Sequence, residues 1–495
     1  MSNGSSRNSL GVTVFNSGLW MLAWQWSARF LGFISTLILA RLLTPRDYGI
    51  VAIGMLVISF LEILTVLGGD RYLISKPNVD SEDYDTAWSI RLIQFIFISA
   101  ILWVFSSSMS VFFQEAQIDA VIKVLSVGVF ITAFENVGIV KFKRDLQFSQ
   151  LFRFGIFQKS IGFFVTVFLA FTMRNYWAMI IGFVFLRLAG TVLSYIISDY
   201  RPKFTFLRIK QQWSFSQWIL LGNCAVYFRN KADQLIISKF FGASSLGNYN
   251  MAVDISNMPT TELTSPIFQA VFSGFGKLVT KPKELEIAYL KFLGALACVI
   301  LPIAFGLASV ADNAVILLLG PKWVSTIPLI QLLSIMSIPM AYSMSAIDFL
   351  TINNLVKKVC IVDWVIVSLL LPLLIITSIY GTLQQVALVR TLFSFGSVCL
   401  YFYVIKINIG INLVSVFMAI FRPVISAITM AFFLNYLGNI FFSGILVNLI
   451  LQIFIGALIY LIILLLSWLL MGKPDGGEQI LLDRLKEKID LWQTK

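Results

Sequence analysis

The chain consists largely of apolar runs of roughly 20 residues, which recur from Phe15 to Met471. A run of this length crosses the hydrocarbon core of a bilayer as an α-helix. Of the 495 residues 58% are hydrophobic and 13% are charged, and the charged fraction is about half that of a soluble chain. The runs do not alternate over about 10 residues, as the strands of a membrane barrel do. The sequence therefore predicts an all-α polytopic membrane protein.

Short breaks, several of which carry Pro, Gly or Asn, separate the apolar runs, as expected for helix ends. Counting from break to break predicts about 14 transmembrane helices. They are expected near 14–40, 48–68, 87–112, 118–140, 151–173, 176–198, 213–239, 246–271, 286–311, 324–348, 357–379, 383–405, 412–436 and 441–471.

Basic residues alternate between the two sides of the predicted membrane. With the N-terminus in the cytoplasm, the inner loops carry clusters such as 141–153 and 201–210, whereas the outer loops hold few basic residues. This bias follows the positive-inside rule and predicts that both termini are cytoplasmic. The net charge of +12 requires no nucleic-acid partner, because the inner loops face anionic membrane lipids.

The residue content excludes several kinds of chemistry. The sequence contains no histidine, so histidine-based acid–base catalysis and the commonest metal ligand are excluded. Its four cysteines lie inside predicted spans at no metal-like spacing, and no Walker motif is present. We therefore expect no catalytic residues, no metal and no cofactor, with coupling to a proton or Na⁺ left open.

An internal repeat emerges when the sequence is shifted by 198 residues. The stretch ARLLTPRDYGIVAIG at 40–54 then falls on SKFFGASSLGNYNMA at 238–252, and Gly49 coincides with Gly247. The two hairpins lie six spans apart, so the repeats run in the same direction through the membrane. Such a parallel repeat predicts two six-helix bundles with a substrate path between them. The alternative is that any two membrane hairpins look alike.

The repeat predicts four segments along the chain. The C-terminal segment is either an amphipathic helix on the inner membrane surface or disordered. The segments are an N-terminal lobe at 1–205, a C-terminal lobe at 206–408, two additional helices at 409–472 and a cytoplasmic tail at 473–495.

Polar faces on the predicted spans 1, 7 and 8 indicate a water-filled cavity. A charge in the hydrocarbon core costs several kcal/mol unless it meets a partner or water, so such residues are functional candidates. The excess positive charge at Arg29, Arg229 and Lys231 favours a phosphate-bearing substrate, which arginine binds through a bidentate fork. The candidate cavity residues are Trp24, Gln25, Arg29, Asn223, Tyr227, Arg229, Asn230, Lys231, Asn250 and Asn257.

Acidic residues inside the predicted spans are candidates for carrying a coupling proton or Na⁺. Arg229 and Asp233 are spaced i, i+4 and can pair, which makes Asp233 a poorer proton carrier. Structural ion pairing is the alternative role for every one of these acids. The candidates are Glu62, Glu135, Asp233, Asp254 and Asp363.

Three stretches carry a family resemblance: Ala40–Ile53, Arg229–Phe275 and Leu318–Ser334. With them, the chain resembles the Wzx-like polysaccharide transporter family of bacterial lipid-linked oligosaccharide flippases. This family belongs to the multidrug/oligosaccharidyl-lipid/polysaccharide exporter (MOP) superfamily. The likeness extends over essentially the whole chain, and the second stretch is the most specific.

The resemblance implies a two-lobed protein of the bacterial inner (cytoplasmic) membrane that works by alternating access. It would move undecaprenyl-pyrophosphate-linked oligosaccharide repeat units to the periplasmic leaflet, for lipopolysaccharide O-antigen, capsule or exopolysaccharide. The expected partners are this lipid-linked oligosaccharide, membrane lipids, and the polymerase and chain-length proteins of the same pathway. We expect a monomer.

Two alternatives remain open at the level of the sequence. A cation-coupled multidrug exporter of the same superfamily should favour an acidic cavity, whereas spans 1 and 7 are basic. A membrane enzyme, either a polysaccharide polymerase or a glycosyltransferase, would need a sizeable extramembrane loop or an acid cluster at a membrane surface. The sequence shows neither feature.

Overall fold

The structure is a computed structural model that describes residues 3–65, 69–76, 78–437 and 444–472, together with Gly477 and Gln479. Within these residues the secondary structure is helical and contains no strand, which confirms the all-α prediction. The predicted amphipathic tail lies outside the described residues apart from those two positions. The chain forms two compact units, Met1–Gly247 and Asn248–Lys495. The predicted lobe boundary at residue 205 stays a prediction.

The helices of the first unit begin near the N-terminus, and the last of them continues into the second unit. This long helix, α9, is interrupted at Gly242, whose φ of 78° only glycine adopts readily. The helices are α1 (Asn3–Leu42), α2 (Pro45–Thr65), α3 (Gly69–Ser75), α4 (Ser81–Phe113), α5 (Gln117–Ala133), α6 (Ile139–Arg144), α7 (Phe148–Met173), α8 (Trp177–Ile197) and α9 (Ile209–Leu278).

The second unit continues with six α-helices and a short 3₁₀ helix at Pro321–Thr326. Its core includes Tyr289 and Phe349, whose rings stack with centroids 3.9 Å apart. The six α-helices are α10 (Pro282–Leu318), α11 (Ile327–Ile352), α12 (Val356–Tyr380), α13 (Leu383–Ile409), α14 (Leu413–Leu437) and α15 (Ile445–Leu470).

Each predicted span overlaps one of these helices or one half of α9. Among the described residues, nine helices are long and apolar enough to cross a membrane. The protein is therefore a multi-pass membrane protein, and the count of about 14 crossings stays a prediction.

The fourth predicted span is shorter than expected, because α5 ends at Ala133 rather than near residue 140. Asn136 explains the early end. Its Oδ1 accepts from the Gly138 amide at 2.8 Å, and its Nδ2 donates to the Tyr200 carbonyl at 2.6 Å. These bonds hold the chain in a turn, so Glu135 lies just beyond the helix and not inside it.

Buried polar groups at the start of α4 hold the linker that joins α8 to α9. Asp85, which is 8% exposed, accepts hydrogen bonds from the Tyr200 hydroxyl and from the Lys203 amide, the latter at 2.8 Å. The Ser89 hydroxyl accepts from the Thr205 amide at 2.9 Å. Burial together with the Asp85 carboxylate raises the pKa of the Tyr200 phenol. The linker is therefore part of the first unit's packing.

We predict that Asp85→Ala releases this linker to protease. Losing the acceptor of two part-buried donors costs about 1–3 kcal/mol, so trypsin should cut after Lys203 roughly 5–100 times faster. The measurement is limited trypsin digestion followed by mass spectrometry. Asp85→Asn keeps an acceptor oxygen and should stay close to the wild-type rate, and equal cleavage of all three proteins would contradict this assignment.

The first hairpin is built by a capping box at the start of α2. Asp47 Oδ2 accepts from the Thr44 backbone amide at 2.9 Å and from the Thr44 hydroxyl at 2.6 Å, while the Asp47 amide donates to the Thr44 hydroxyl at 3.3 Å. Pro45 occupies the first helical position, where its missing N–H costs nothing. The Thr-Pro-Arg-Asp break in the sequence is thus a specified helix start.

The two repeated hairpins touch each other through Gly49 and Gly247, and both glycines lie in the first unit. A Cβ placed on Gly49 would overlap the carbonyl group of Ala243, and one on Gly247 would overlap that of Pro45. The 198-residue shift maps Pro45 onto Ala243 and Gly49 onto Gly247. The contact is therefore reciprocal, as an isologous contact between two-fold-related segments must be.

We predict that Gly49→Ala lowers the thermal unfolding midpoint of the detergent-solubilised protein. The added methyl group has no room beside the Ala243 carbonyl, and such overpacking costs about 1–3 kcal/mol. Gly32→Ala in α1 is the matched control, because a Cβ there meets nothing within 4 Å. The control should equal or exceed wild-type stability, and an unchanged midpoint for Gly49→Ala would disprove the close contact.

Candidate substrate site

Four charged side chains in the first unit form two ion pairs between helices. Arg187 Nη2 of α8 lies 2.6 Å from Glu62 Oε1 of α2. Arg91 Nη2 of α4 lies 2.6 Å from Glu135 Oε2, just after α5. Arg91 is also close enough to Glu62 to attract its carboxylate. The four charges therefore compensate one another across α2, α4, α5 and α8.

This pairing bears on the proposed coupling role of the acids. A proton carrier must lose its charge during the cycle, and doing so here would leave a partly buried arginine uncompensated. The geometry therefore favours the structural role for Glu62 and Glu135. Their role in ion coupling stays a prediction.

We predict that removing Arg187 alone destabilises the protein more than removing the charges of both Glu62 and Arg187. Arg187→Met alone leaves the carboxylate without its 2.6 Å partner and should destabilise the protein by about 3 kcal/mol. The double variant Glu62→Gln with Arg187→Met should recover most of this loss, because no charge remains to be buried. Thermal unfolding of wild type, Arg187→Met, Glu62→Gln and the double variant measures the coupling, and additive losses would refute the pairing.

Two cations on α1 and α7 form a second kind of charged cluster. Lys159 of α7 is half-buried, and Arg29 of α1, which is also half-buried, is close enough to repel it. Within the described part of the chain, Lys159 makes no hydrogen bond or ion pair. A cation held beside another cation in a membrane helix is costly unless an anion or water compensates it.

Lys159 is not among the candidate cavity residues predicted from the sequence. A signal is present in the sequence, because Gln158 and Lys159 are adjacent polar residues well inside the predicted span 151–173. Arg29 was selected, and only the packing of α1 against α7 shows that the two residues are neighbours.

A cavity of about 500 Å³ lies in the first unit between α1, α4, the α5–α6 turn and α7. We call it the first-unit cavity. It combines an ion pair, an amide and a lysine with aromatic rings. Its principal lining residues are Trp24, Arg91, Glu135, Lys143, Phe152 and Gln158.

Trp24 and Gly155 connect this cavity to the cationic pair. A Cβ placed on Gly155 would lie 2.5 Å from the Trp24 ring, so the indole packs directly on the backbone of α7. Lys159 lies one helical turn along α7 from Gly155, and Arg29 lies just over one turn along α1 from Trp24. Gln25, between Trp24 and Arg29 on α1, is half-buried. The cavity and the cationic pair are therefore adjacent along both helices.

The predicted residues on the first half of α9 lie elsewhere in the first unit. Tyr227 is 4% exposed and donates to the Leu56 carbonyl at 2.8 Å, at an apolar groove of about 450 Å³. Lys231 Nζ donates to Gln234 Oε1 at 3.0 Å. Asp233 is buried and accepts from the Gln234 amide at 2.8 Å. Among the α9 candidates, Asn223 and Arg229 are half-buried and Asn230 is exposed.

The remaining predicted residues belong to the second unit. Asn250 is half-buried, and its Oδ1 has no hydrogen-bond partner among the described residues. Asn257 is half-buried, and Asp254 is exposed. Asp363 is 4% exposed and accepts a hydrogen bond from the Tyr401 hydroxyl. In the described residues of either unit, no group of three or more Cys, Asp or Glu side chains could hold a metal ion.

Comparison with known proteins gives a consistent result. Residues 38–328 match the family described as "Polysaccharide biosynthesis protein". An uncharacterized membrane protein in the cps region of Klebsiella pneumoniae is 22% identical over 467 residues, covering 93% of this chain and 96% of that protein. The lipopolysaccharide biosynthesis protein WzxC of Escherichia coli (strain K12) is 22% identical over 319 residues, which cover 62% of this chain and 63% of WzxC.

A solved structure of the lipid II flippase MurJ, in an inward closed conformation, has a similar fold. The TM-score is 0.74 with 13% sequence identity, over 91% of this chain and 98% of MurJ. This fold and the apolar helices define a multi-pass membrane protein with the fold of MurJ. The chain belongs to the polysaccharide biosynthesis protein family, whose model matches more than half of it. The Wzx-like resemblance inferred from the three sequence stretches is thereby confirmed.

Proposed function

We propose that this protein is a flippase that moves undecaprenyl-pyrophosphate-linked oligosaccharide repeat units from the cytoplasmic to the periplasmic leaflet. The product would serve the synthesis of O-antigen, capsule or exopolysaccharide. The observation that carries this proposal is the pair Arg29 and Lys159, two half-buried neighbouring cations of which Lys159 has no anionic partner in the described structure. A pyrophosphate group would supply the missing negative charge.

The chemistry of the pair suits a diphosphate better than a cationic drug. Arginine presents a planar fork of donors and lysine a compact point charge, and both bind phosphate oxygens strongly. A cationic drug would instead be repelled from this site. The names of the relatives support the same substrate class, since WzxC is a lipopolysaccharide biosynthesis protein and MurJ a lipid II flippase.

The proposed transport cycle involves no covalent step. The head group enters from the cytoplasmic leaflet while the polyprenyl tail stays in lipid. The lobes at 1–205 and 206–408 then rock about the head group and open to the periplasm, with a proton or Na⁺ as the coupling ion. The protein acts as a monomer beside the polymerase and chain-length proteins of its pathway.

We predict that Lys159→Met slows lipid flipping at least tenfold. The assay is reconstituted vesicles that contain undecaprenyl pyrophosphate carrying a fluorescent sugar, with an impermeant quencher reporting the outer leaflet. Lys159→Arg keeps the charge and should retain most of the rate. Lys123→Met is the matched control, because Lys123 of α5 is half-buried and already paired with Asp119 at 2.8 Å.

Two outcomes would overturn the proposal. One is a wild-type protein that does not accelerate flipping, together with increased drug susceptibility of cells that lack it, which would indicate the multidrug exporter. The other is an equal rate for Lys159→Met and wild type in correctly folded protein.

A further inference from the structure

The first-unit cavity differs in chemistry from the cationic pair beside it. We propose that this cavity binds the sugar residue directly attached to the pyrophosphate, so that the head group is recognised in two adjacent parts. This inference rests on the proposed flippase function. It adds a saccharide site inside the first unit, formed by Trp24, Arg91, Glu135 and Gln158.

The Arg91–Glu135 ion pair in the cavity has donor and acceptor atoms that the pair itself does not use. Arg91 and Glu135 meet through one nitrogen and one oxygen, at 2.6 Å, and their side chains are 22% and 21% exposed. Arg91 Nη1 and Glu135 Oε1 make no hydrogen bond among the described residues. The pair therefore offers both donors and an acceptor at almost no net charge. Sugar hydroxyl groups, which donate and accept, match this combination, whereas a phosphate would be repelled by the carboxylate.

Gln158 adds a further polar group at the same wall. Its Nε2 donates to the Leu186 carbonyl of α8 at 3.4 Å, which is a long hydrogen bond. Its Oε1 makes no hydrogen bond within the described structure. Gln158 immediately precedes Lys159, so a hydroxyl acceptor and the unpartnered cation are adjacent on α7.

The aromatic rings supply the apolar half of a saccharide site. Trp24 is half-buried and rests on Gly155, and Phe152 lies on the same side of α7. A pyranose ring has an apolar face of C–H groups, which packs on an indole while its hydroxyls reach polar neighbours. A few convergent polar groups on an aromatic wall are typical of small-molecule sites, and about 500 Å³ lies within their usual range.

A lipid tail fits this cavity poorly, because it would bury the ion pair and Gln158 against hydrocarbon. A free anion would meet the Glu135 carboxylate as well as Arg91 and Lys143, whereas sugar hydroxyl groups can donate to the carboxylate and accept from both cations. A neutral ring with several hydroxyl groups, attached to a diphosphate, matches both sites. The ring would occupy the cavity, and the diphosphate would bind the neighbouring Lys159.

The test measures dissociation constants in lipid nanodiscs for four probes. These are undecaprenyl pyrophosphate alone and the same lipid carrying one glucose, one galactose or one N-acetylglucosamine. Wild type should bind at least one saccharide probe about tenfold tighter than the bare lipid. Trp24→Leu should abolish this preference, which is measured as the ratio of the bare-lipid to the saccharide-lipid constant. Lys159→Met should weaken all four probes.

Two further variants secure the interpretation. Gln158→Leu should also reduce the saccharide preference, which keeps the test decisive where Trp24→Leu fails to fold. Trp26→Leu is the matched control on the same helix, because Trp26 is 52% exposed and does not line the cavity. It should bind all probes like wild type.

The possible failures are distinguishable. Equal wild-type affinity for all four probes, or an equal loss for bare and saccharide lipids in Trp24→Leu, would overturn the saccharide site while leaving the flippase proposal intact. Absence of binding for every probe, including the bare lipid, would overturn both.

Discussion

The free energy of a charge inside a membrane is the constraint on which this structure depends. A single uncompensated charge costs several kcal/mol in hydrocarbon, yet the helices of the first unit carry several. Two arginines meet two carboxylates at 2.6 Å, and these pairs join α8 to α2 and α4 to the turn after α5. Lys159 differs from them, because it has no ion-pair partner in the described structure and Arg29 repels it. Charges that compensate one another organise the fold, and the charge that lacks compensation indicates the ligand.

The arrangement of these groups suggests how one lobe could bind a head group that consists of a pyrophosphate and a sugar. Trp24 packs on Gly155, which fixes α1 against α7 and leaves the indole at the wall of the first-unit cavity. One turn further along the same helices, Arg29 and Lys159 form the cationic pair. The pyrophosphate and its first sugar are likewise adjacent in the substrate. The cationic pair would therefore bind the pyrophosphate, which all such substrates share, and the first-unit cavity would bind the sugar, which differs between them.

The sequence predicts the fold class and several features of the site, for identifiable reasons. Apolar run length determines the helical membrane architecture, and the Thr44–Asp47 capping box and the Gly49–Gly247 repeat are visible as motifs. The end of α5 was predicted wrongly, because the Asn136 hydrogen bonds that stop it depend on the distant Tyr200. Lys159 was missed because its significance comes from Arg29, 130 residues earlier (159 − 29). Helix periodicity also cannot tell which face of α9 carries Tyr227 into an apolar groove.

The most direct test of the central claim is an experimental structure of the protein in nanodiscs with undecaprenyl pyrophosphate bound. The account predicts diphosphate density within ion-pairing distance, about 4 Å, of both Lys159 Nζ and the Arg29 guanidinium. Density for the diphosphate elsewhere, with Lys159 paired to a carboxylate of the protein itself, would contradict it.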